Sequence, residues 1–343
     1  MKSALTYDDV LLVPQYSNIE SRKEVKIGNN LDDEIYLSLP IISAPMDTVT
    51  EDEMSCAIYN SGGLGVIHRY NTIKEQSEMV KKVKEKSLFF GEVITAAAVG
   101  VTGDFEERAC ALYDAGAEVI CIDVAHGHHI LVKNALEKLR SIFGYNIHIM
   151  AGNVATRKGF EDLSDWGADS VRCNVGGGSI CSTRIQTGHG IPGLQTIMDC
   201  AISDRSAKVI ADGGIRSSGD IVKALAAGAD FVMLGSMLAG TKESPGYILQ
   251  EKDGSKHKLY RGMASKEAQM DWRGKYSSNE GISTRIPYKG TVISVLKDLE
   301  NGITSGFSYS GAKDIIDFQT RAKFVKQTSA GLVESKTHIL GKN

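Results

Sequence analysis

Three stretches of this chain repeat one local pattern, and that repeat limits the fold more than any other feature. Asp114-Ala-Gly-Ala-Glu-Val-Ile-Cys-Ile-Asp123, Asp165-Trp-Gly-Ala-Asp-Ser-Val-Arg172 and Ala226-Ala-Gly-Ala-Asp-Phe-Val-Met-Leu-Gly235 each end a helix-like run on Gly, continue with Ala and an acid, and enter a short β-rich run. Glycine readily takes the left-handed conformation that turns a chain back at a helix C-terminus. Helix alternating with strand builds a parallel sheet. Apolar runs followed by helical patterns give eight strands: Ile41–Ser43, Leu64–Ile67, Ile94–Val99, Val119–Asp123, Ile147–Ala151, Ser170–Cys173, Val209–Ala211 and Phe231–Leu234. Helical patterns include Glu51–Asn60, Lys74–Lys84, Phe105–Ala115, Ile130–Ile142 and Ser218–Ala227. Eight units predict a closed (β/α)8 barrel, an α/β fold of one domain over residues 1–343, since an open doubly wound sheet needs only five or six strands.

A barrel of this kind carries its chemistry at the C-terminal ends of its strands. Polar and glycine residues collect there: Ser43-Ala-Pro-Met-Asp47, His68-Arg69, Asp123-Val-Ala-His126, Gly152-Asn153, Asn174 to Thr183, Asp212-Gly-Gly214 and Gly235-Ser236. Two regions do not read as βα units. Residues 244–290 are rich in Gly, Lys and Ser with little apolar periodicity, and read as a long loop forming a flap over the barrel mouth. The tail, residues 311–343, is expected either to pack on a neighbouring subunit or to be disordered.

Composition excludes several function classes. Lys+Arg 39 against Asp+Glu 42 leaves no basic excess for nucleic acid or a membrane face. There is no apolar run of about 18 residues for a membrane span and no signal-peptide pattern at Met1-Lys-Ser-Ala-Leu5, so the expected location is cytoplasmic. The six cysteines form no C-x-x-C pair, and Cys56, Cys110 and Cys121 lie in core-like patterns.

Cys181 differs. It lies in Gly176-Gly-Gly-Ser-Ile-Cys-Ser-Thr-Arg184, where glycines let backbone N–H groups approach an anion and Ser179 adds a hydroxyl donor. Its thiolate is the candidate nucleophile, with Thr183 placed to assist proton transfer. The bland alternative is a glycine-rich turn with an incidental cysteine. Asp212-Gly213-Gly214 and Gly235-Ser236 follow strands seven and eight, the usual phosphate grip of this fold, and Asp212 can accept two hydrogen bonds from a ribose diol. His126, His128 and His129 suggest a metal, but with Asp123 the nearby carboxylate they read better as ordinary loop histidines near a cofactor.

Around Gly176–Arg184 the chain resembles the inosine-5′-monophosphate dehydrogenase and guanosine-5′-monophosphate reductase family. The resemblance covers nearly the whole chain, through Leu5-Thr-Tyr-Asp-Asp-Val-Leu-Leu-Val-Pro14, Ser43-Ala-Pro-Met-Asp-Thr-Val49, Met150-Ala-Gly-Asn-Val154, Asp212-Gly-Gly-Ile215 and Tyr260-Arg-Gly-Met263. It implies a homotetrameric barrel acting on a purine nucleoside monophosphate, with Cys181 attacking C2 of the base. Ser179, Gly214, Gly235, Ser236 and Tyr260 look like phosphate contacts, Asp212 like the ribose contact, and Gly262, Met263 and Glu280 like base contacts. Ser43, Met46 and Gly213 complete the expected nucleotide site, and Asp123, Val124, Ala125 and Asn153 are the expected contacts of a nicotinamide cofactor, NADPH or NAD. The carbonyls of Gly176, Gly178 and Cys181 look like a potassium site. Two departures stand out. The family's loop opens Gly-x-Gly-Pro-Gly, here Asn174-Val-Gly-Gly-Gly178, which implies a more mobile loop. The chain also runs from Lys86 almost directly into Phe89-Phe-Gly-Glu, without the inserted nucleotide-binding (CBS) domain that most dehydrogenases of the family carry there.

The dehydrogenase must hydrolyse the purine–cysteine adduct, which it does with a flap bearing an Arg-Tyr pair that activates water. Residues 263–281 contain no such pair; Tyr276, four residues before Glu280-Gly281, resembles the reductase arrangement. Thr183 and Glu280 would then relay the proton that lets ammonia leave C2. Ser43–Asp47, Val66–Arg69 and Thr328–Ser335 look more dehydrogenase-like, but they are scaffold and subunit-contact segments. The favoured expectation is a GMP reductase using NADPH. IMP dehydrogenase, with Lys275-Tyr276 activating water, is the alternative, and a catalytically inert nucleotide-binding barrel is the reading from another class.

Overall fold

The computed structural model describes residues 3–87, 93–277 and 279–337. Eight parallel strands close a barrel: β1 (Ile41–Ser43), β2 (Leu64–Ile67), β3 (Ala96–Val99), β4 (Val119–Asp123), β5 (His148–Val154), β6 (Ser170–Cys173), β7 (Lys208–Asp212) and β8 (Phe231–Leu234). Closure pairs Val232 with Ile41 and Leu234 with Ser43. Strand side chains divide between two cores. Ile42, Leu64, Val66, Ala98, Cys121, Met150, Ile210 and Phe231 fill the barrel. Their neighbours Ile41, Ile67, Ala97, Ile120, Ile149, Val209 and Val232 pack under the helices. Both faces are buried, so these strands read as unbroken apolar runs.

The helical ring comprises α1 (Asp52–Asn60), α2 (Ile73–Ser87), α3 (Phe105–Asp114), α4 (Ile130–Phe143), α5 (Arg157–Asp165), α6 (Gly193–Ala201), α7 (Ser218–Ala226) and α8 (Val292–Tyr309). The glycine of each repeated unit does what its position implies: Gly116, Gly167 and Gly228 lie at φ +101°, +108° and +105°, just past α3, α5 and α7. The expected junction between Lys86 and Phe89 falls on residues 88–92, outside the described residues.

Three features correct the sequence reading. Residues 244–290 are not a plain loop. Leu249–Gln250, Lys256–Arg261 and Ser283–Pro287 form an antiparallel three-stranded sheet, and Ser265 caps a helix, Lys266–Arg273. This sheet escapes hydropathy because one of its few buried side chains is Lys258, whose ammonium donates to the carbonyls of Thr241, Lys242 and Ser244. The tail, as far as residue 337, is ordered within the chain: Phe324–Lys326 pairs antiparallel with Val10–Leu12, and Thr328 caps a short helix, Ser329–Glu334. Finally, residues 29–37 plug the lower end of the barrel, adding Leu31, Ile35 and Leu37 to its inner core. There Asp32 Oδ2 bonds His148 Nδ1 at 2.8 Å, and His148 Nε2 bonds Ser170 Oγ at 2.8 Å.

Candidate active site

A cavity of about 320 Å³ opens at the C-terminal ends of the strands, at the lower end of the range of about 300–1,000 Å³ usual for small-molecule sites. Every expected site residue lines it except Ser43. Ser43 is fully buried and accepts from Thr50 Oγ1 at 2.8 Å; the wall beside it is Ala44 and Met46.

The loop after β6 carries Cys181 into this cavity. Cys181 N–H donates to Gly178 O at 3.1 Å, closing a tight turn. Cys181 Sγ lies 3.1 Å from Thr183 Oγ1, which donates to Glu280 Oε2 at 2.8 Å. Glu280 arrives from the flap, held by the backbone bonds Ser182 N to Glu280 O (2.9 Å) and Ile282 N to Ile180 O (3.0 Å). A thiol, a hydroxyl and a carboxylate thus form one hydrogen-bonded chain across two segments.

The two departures of this loop from the family pattern belong together. Asn174 takes φ +142°, and its side chain donates to Gly213 O at 3.2 Å and accepts from Arg184 at 3.3 Å. A Cβ on Gly177 would lie 2.1 Å from Asn174 Nδ2. The asparagine side chain fills the space a proline at 177 would occupy and ties the loop to Gly213 and Arg184. Of the three carbonyls expected at potassium, that of Gly178 is already committed to the Cys181 turn. That oxygen keeps one lone pair free, and the mechanism runs no step through potassium.

On the far side, the loops after β7 and β8 meet Tyr260 of the flap sheet. A Cβ on Gly235 would crowd Tyr260 Oη at 3.0 Å, and Gly213, 3.3 Å from Gly178 N at its Cβ position, takes φ +82°, a conformation that favours glycine. Burial raises the Tyr260 phenol to about 12, although the hydroxyls of Ser179 and Ser236 pull the other way. It remains a neutral donor beside Ser179 and Ser236, facing the same cavity.

Between the halves of the cavity runs a row of alternating charge that sequence reading did not single out. Arg172 donates to Asp123 Oδ1 (2.7 Å) and to Asp212 Oδ2 (2.9 and 3.1 Å), and Asn153 Nδ2 also reaches Asp212 Oδ2 (2.7 Å). Burial disfavours ionisation of Asp123, but Arg172 and Arg69 outweigh it and hold the carboxyl below its ordinary range. The available signal was a lone arginine inside a buried strand, which demands buried partners. Arg69 Nε approaches Asp123 at 3.6 Å but makes no hydrogen bond, leaving a buried donor on the side expected to take the cofactor. That donor and the ionised Asp123 suit a polar dinucleotide. The histidines after β4 diverge: His128 bonds Asp162 at 2.8 Å, and the His129 ring caps α4.

Also absent from the sequence reading was the way the flap is anchored. Arg261 donates twice to Asp47 Oδ2, at 3.0 and 2.7 Å, and once to Asp271 Oδ2, while Trp272 stacks on Tyr70 at 4.2 Å.

A closed barrel whose strand ends gather a cysteine, two glycine loops and a charged row has the build of a barrel enzyme with its site at the C-terminal face. The comparisons with known proteins narrow the class. The family model for the IMP dehydrogenase / GMP reductase domain matches residues 4–338, and the chain belongs to that family, whose members are oxidoreductases of purine nucleotides. It is 36% identical to an inosine-5′-monophosphate dehydrogenase from Nitrosopumilus maritimus, over 98% of both chains, and 33% identical to a GMP reductase from Leishmania major, over 100% of this chain and 98% of the other. The alignments run over 472 and 483 positions, so both relatives carry a segment that these 343 residues lack. Among solved structures, a cysteine-to-alanine variant of a Trypanosoma brucei GMP reductase, in complex with guanosine 5′-monophosphate, superposes with a TM-score of 0.93 at 32% identity, covering 98% of each chain.

Proposed function

We propose that this chain is a GMP reductase, converting GMP to IMP and ammonia with NADPH. The observation that carries the proposal is the Cys181–Thr183–Glu280 chain, a proton path that ends on the nucleophile. The Trypanosoma brucei relative, bound to GMP, supports the substrate class. The phosphate would sit among Ser179, Gly214, Gly235, Ser236 and Tyr260, with Gly213 beside it. The ribose would lie on Asp212, and the base against Met46, Gly262 and Met263. Cys181 Sγ forms a bond to C2, and the C2–N bond breaks as Thr183, backed by Glu280, passes a proton to the departing amine. When bound beside Asp123, Val124, Ala125 and Asn153, the cofactor supplies the hydride that replaces sulfur at C2 and frees the thiolate.

One placement further favours reduction over oxidation. Lys275 and Tyr276, the candidate water activators of a dehydrogenase, do not line the cavity, and Tyr276 is half exposed under Lys266. The family resemblance extends the reading to a cytoplasmic homotetramer; exposed Tyr16, Tyr247, Tyr309 and Ile316 are apolar surface such an assembly would cover. Among the described residues no helix is long and apolar enough to cross a membrane.

A turnover matrix of GMP and IMP against NADPH, NADH, NADP⁺ and NAD⁺ tests the proposal. Ammonia release from GMP with NADPH is expected. Steady XMP formation from IMP and NAD⁺, with GMP untouched, makes the chain an IMP dehydrogenase. Binding without any turnover makes it an inert nucleotide-binding barrel.

A further inference from the structure

Arg172 occupies an unusual place in this cavity. It projects from β6 and is almost fully buried, and its single positive charge is divided between carboxylates at the ends of two other strands, Asp123 of β4 and Asp212 of β7. Both carboxylates line the same cavity, one in each half. Asp212 Oδ2 already takes two bonds from Arg172 and one from Asn153, so a ligand on Asp212 must use the other oxygen. Asp123 Oδ1 is likewise taken by Arg172, and its Oδ2 faces Arg69.

A buried guanidinium cannot leave either partner cheaply, since an unpaired buried charge costs several kcal/mol. It can only redistribute between them. Hydroxyl donors arriving on Asp212 share that carboxylate's charge, weaken its hold on Arg172 and shift the guanidinium toward Asp123. That shift fixes the orientation of Asp123 before a second ligand reaches it. Arginine suits the task because its planar fork bonds two carboxylates at once, which a lysine ammonium on a flexible stem does not do in a fixed geometry.

We propose that Arg172 is a positioning residue that couples the two halves of the cavity, so that nucleotide on Asp212 prepares Asp123 for the cofactor. This rests on the ribose and cofactor assignments made under the proposed function. Coupling of this kind is reciprocal, and between two sites is commonly about 5–150-fold.

The test measures the dissociation constant of NADP⁺ with and without saturating GMP, a pair that has no hydride to pass, together with the reverse titration. Wild type is expected to bind NADP⁺ several-fold more tightly with GMP present, and GMP more tightly by the same factor with NADP⁺ present. In folded Arg172→Lys, which keeps the charge, the ratio is expected to fall to near one while each ligand still binds alone. Asp123→Asn, nearly isosteric, removes the other end of the link and is expected to give the same collapse. A ratio near one in the wild type overturns the proposal. So does an unchanged ratio in folded Arg172→Lys or Asp123→Asn, even where both affinities drop together, because that is the signature of a purely structural role. Failure of wild type to bind GMP at all overturns instead the functional reading on which the coupling rests.

Discussion

The two ends of the barrel each hold a three-membered hydrogen-bonded chain that finishes on a carboxylate. At the lower end Asp32, His148 and Ser170 lie in sequence with both links at 2.8 Å, the residue types of a hydrolytic triad. At the upper end Cys181, Thr183 and Glu280 are linked at 3.1 and 2.8 Å. The lower chain is closed off from the cavity: Ser170 and the His148 side chain are fully buried, and only Asp32 of the plug is partly exposed, to solvent on the other side. The upper chain opens into the cavity, and its carboxylate arrives on a separate segment. Residue types therefore do not make a catalytic group. What sets the candidate catalytic chain apart is access to the cavity and a carboxylate brought by a separate segment.

Substitutions at the two ends can break that comparison. The largest effect belongs to Cys181→Ala. Turnover is expected to fall on the order of 10⁴-fold or more while GMP still binds, since the phosphate grip uses other residues. Steady-state rates and equilibrium binding of GMP check both halves, and a variant retaining even a few per cent of the rate would sink covalent catalysis at this position. Next comes Glu280→Gln, expected to slow ammonia release about 10²–10⁴-fold. Hydride transfer to a preformed adduct should be largely spared, as single-turnover absorbance would show. A parallel loss of both steps means Glu280 holds the flap rather than moving a proton.

Asp212→Ala should weaken GMP binding by about 2–3 kcal/mol, roughly 30–150-fold, through loss of a buried acceptor. An unchanged dissociation constant removes the ribose assignment. Gly177→Ala, whose Cβ meets the Asn174 amide at 2.1 Å, should lower kcat about tenfold or more by displacing the Cys181 loop. Adding Asn174→Gly should restore much of that rate; absence of rescue separates the two positions.

The smallest effect on activity is expected at the lower end. His148→Gln should leave kcat within about twofold but cost about 1–3 kcal/mol of stability, from the unpaired buried Ser170 and the lost Asp32 bond. Its pH dependence identifies the cause. Burial opposes ionisation of Asp32, but His148 and the N–H groups of Glu34 and Ile35 outweigh it and hold its folded pKa below the ordinary value. A depressed carboxyl contributes stability above its unfolded pKa of about 3.9 and loses it as pH falls through the folded value. Thermal melts from pH 6 to 2 should therefore show the gap between wild type and variant narrowing toward the acid end, down to the part left by the unpaired Ser170, and a constant gap would point to packing instead.

The barrel was legible because its strands are short, apolar on both faces and separated by glycine-capped helices; β1, β2, β4, β6 and β8 lie at the bounds the sequence implies. β3 begins later, at Ala96, and β5 runs on to Val154, where the apolar run alone does not mark where pairing starts or stops. The flap sheet was not legible, because a lysine caged by backbone carbonyls does the work of an apolar residue at its centre. Neither was the plug, whose three apolar residues are spread over seven positions with no periodicity.

Local rules of the chain determined which residues lie at strand ends, because barrel topology sends each β-to-α turn to the same face, and so Cys181, Asp212 and Gly235 could be named from the sequence. Tertiary structure decided which of them meet. Thr183 and Glu280 are 97 positions apart, and Arg172 finds Asp123 and Asp212 at separations of 49 and 40. Contacts at such distances depend on how strands close and how the flap docks. Those are set by the packing of the whole molecule, and no periodicity or local propensity carries them.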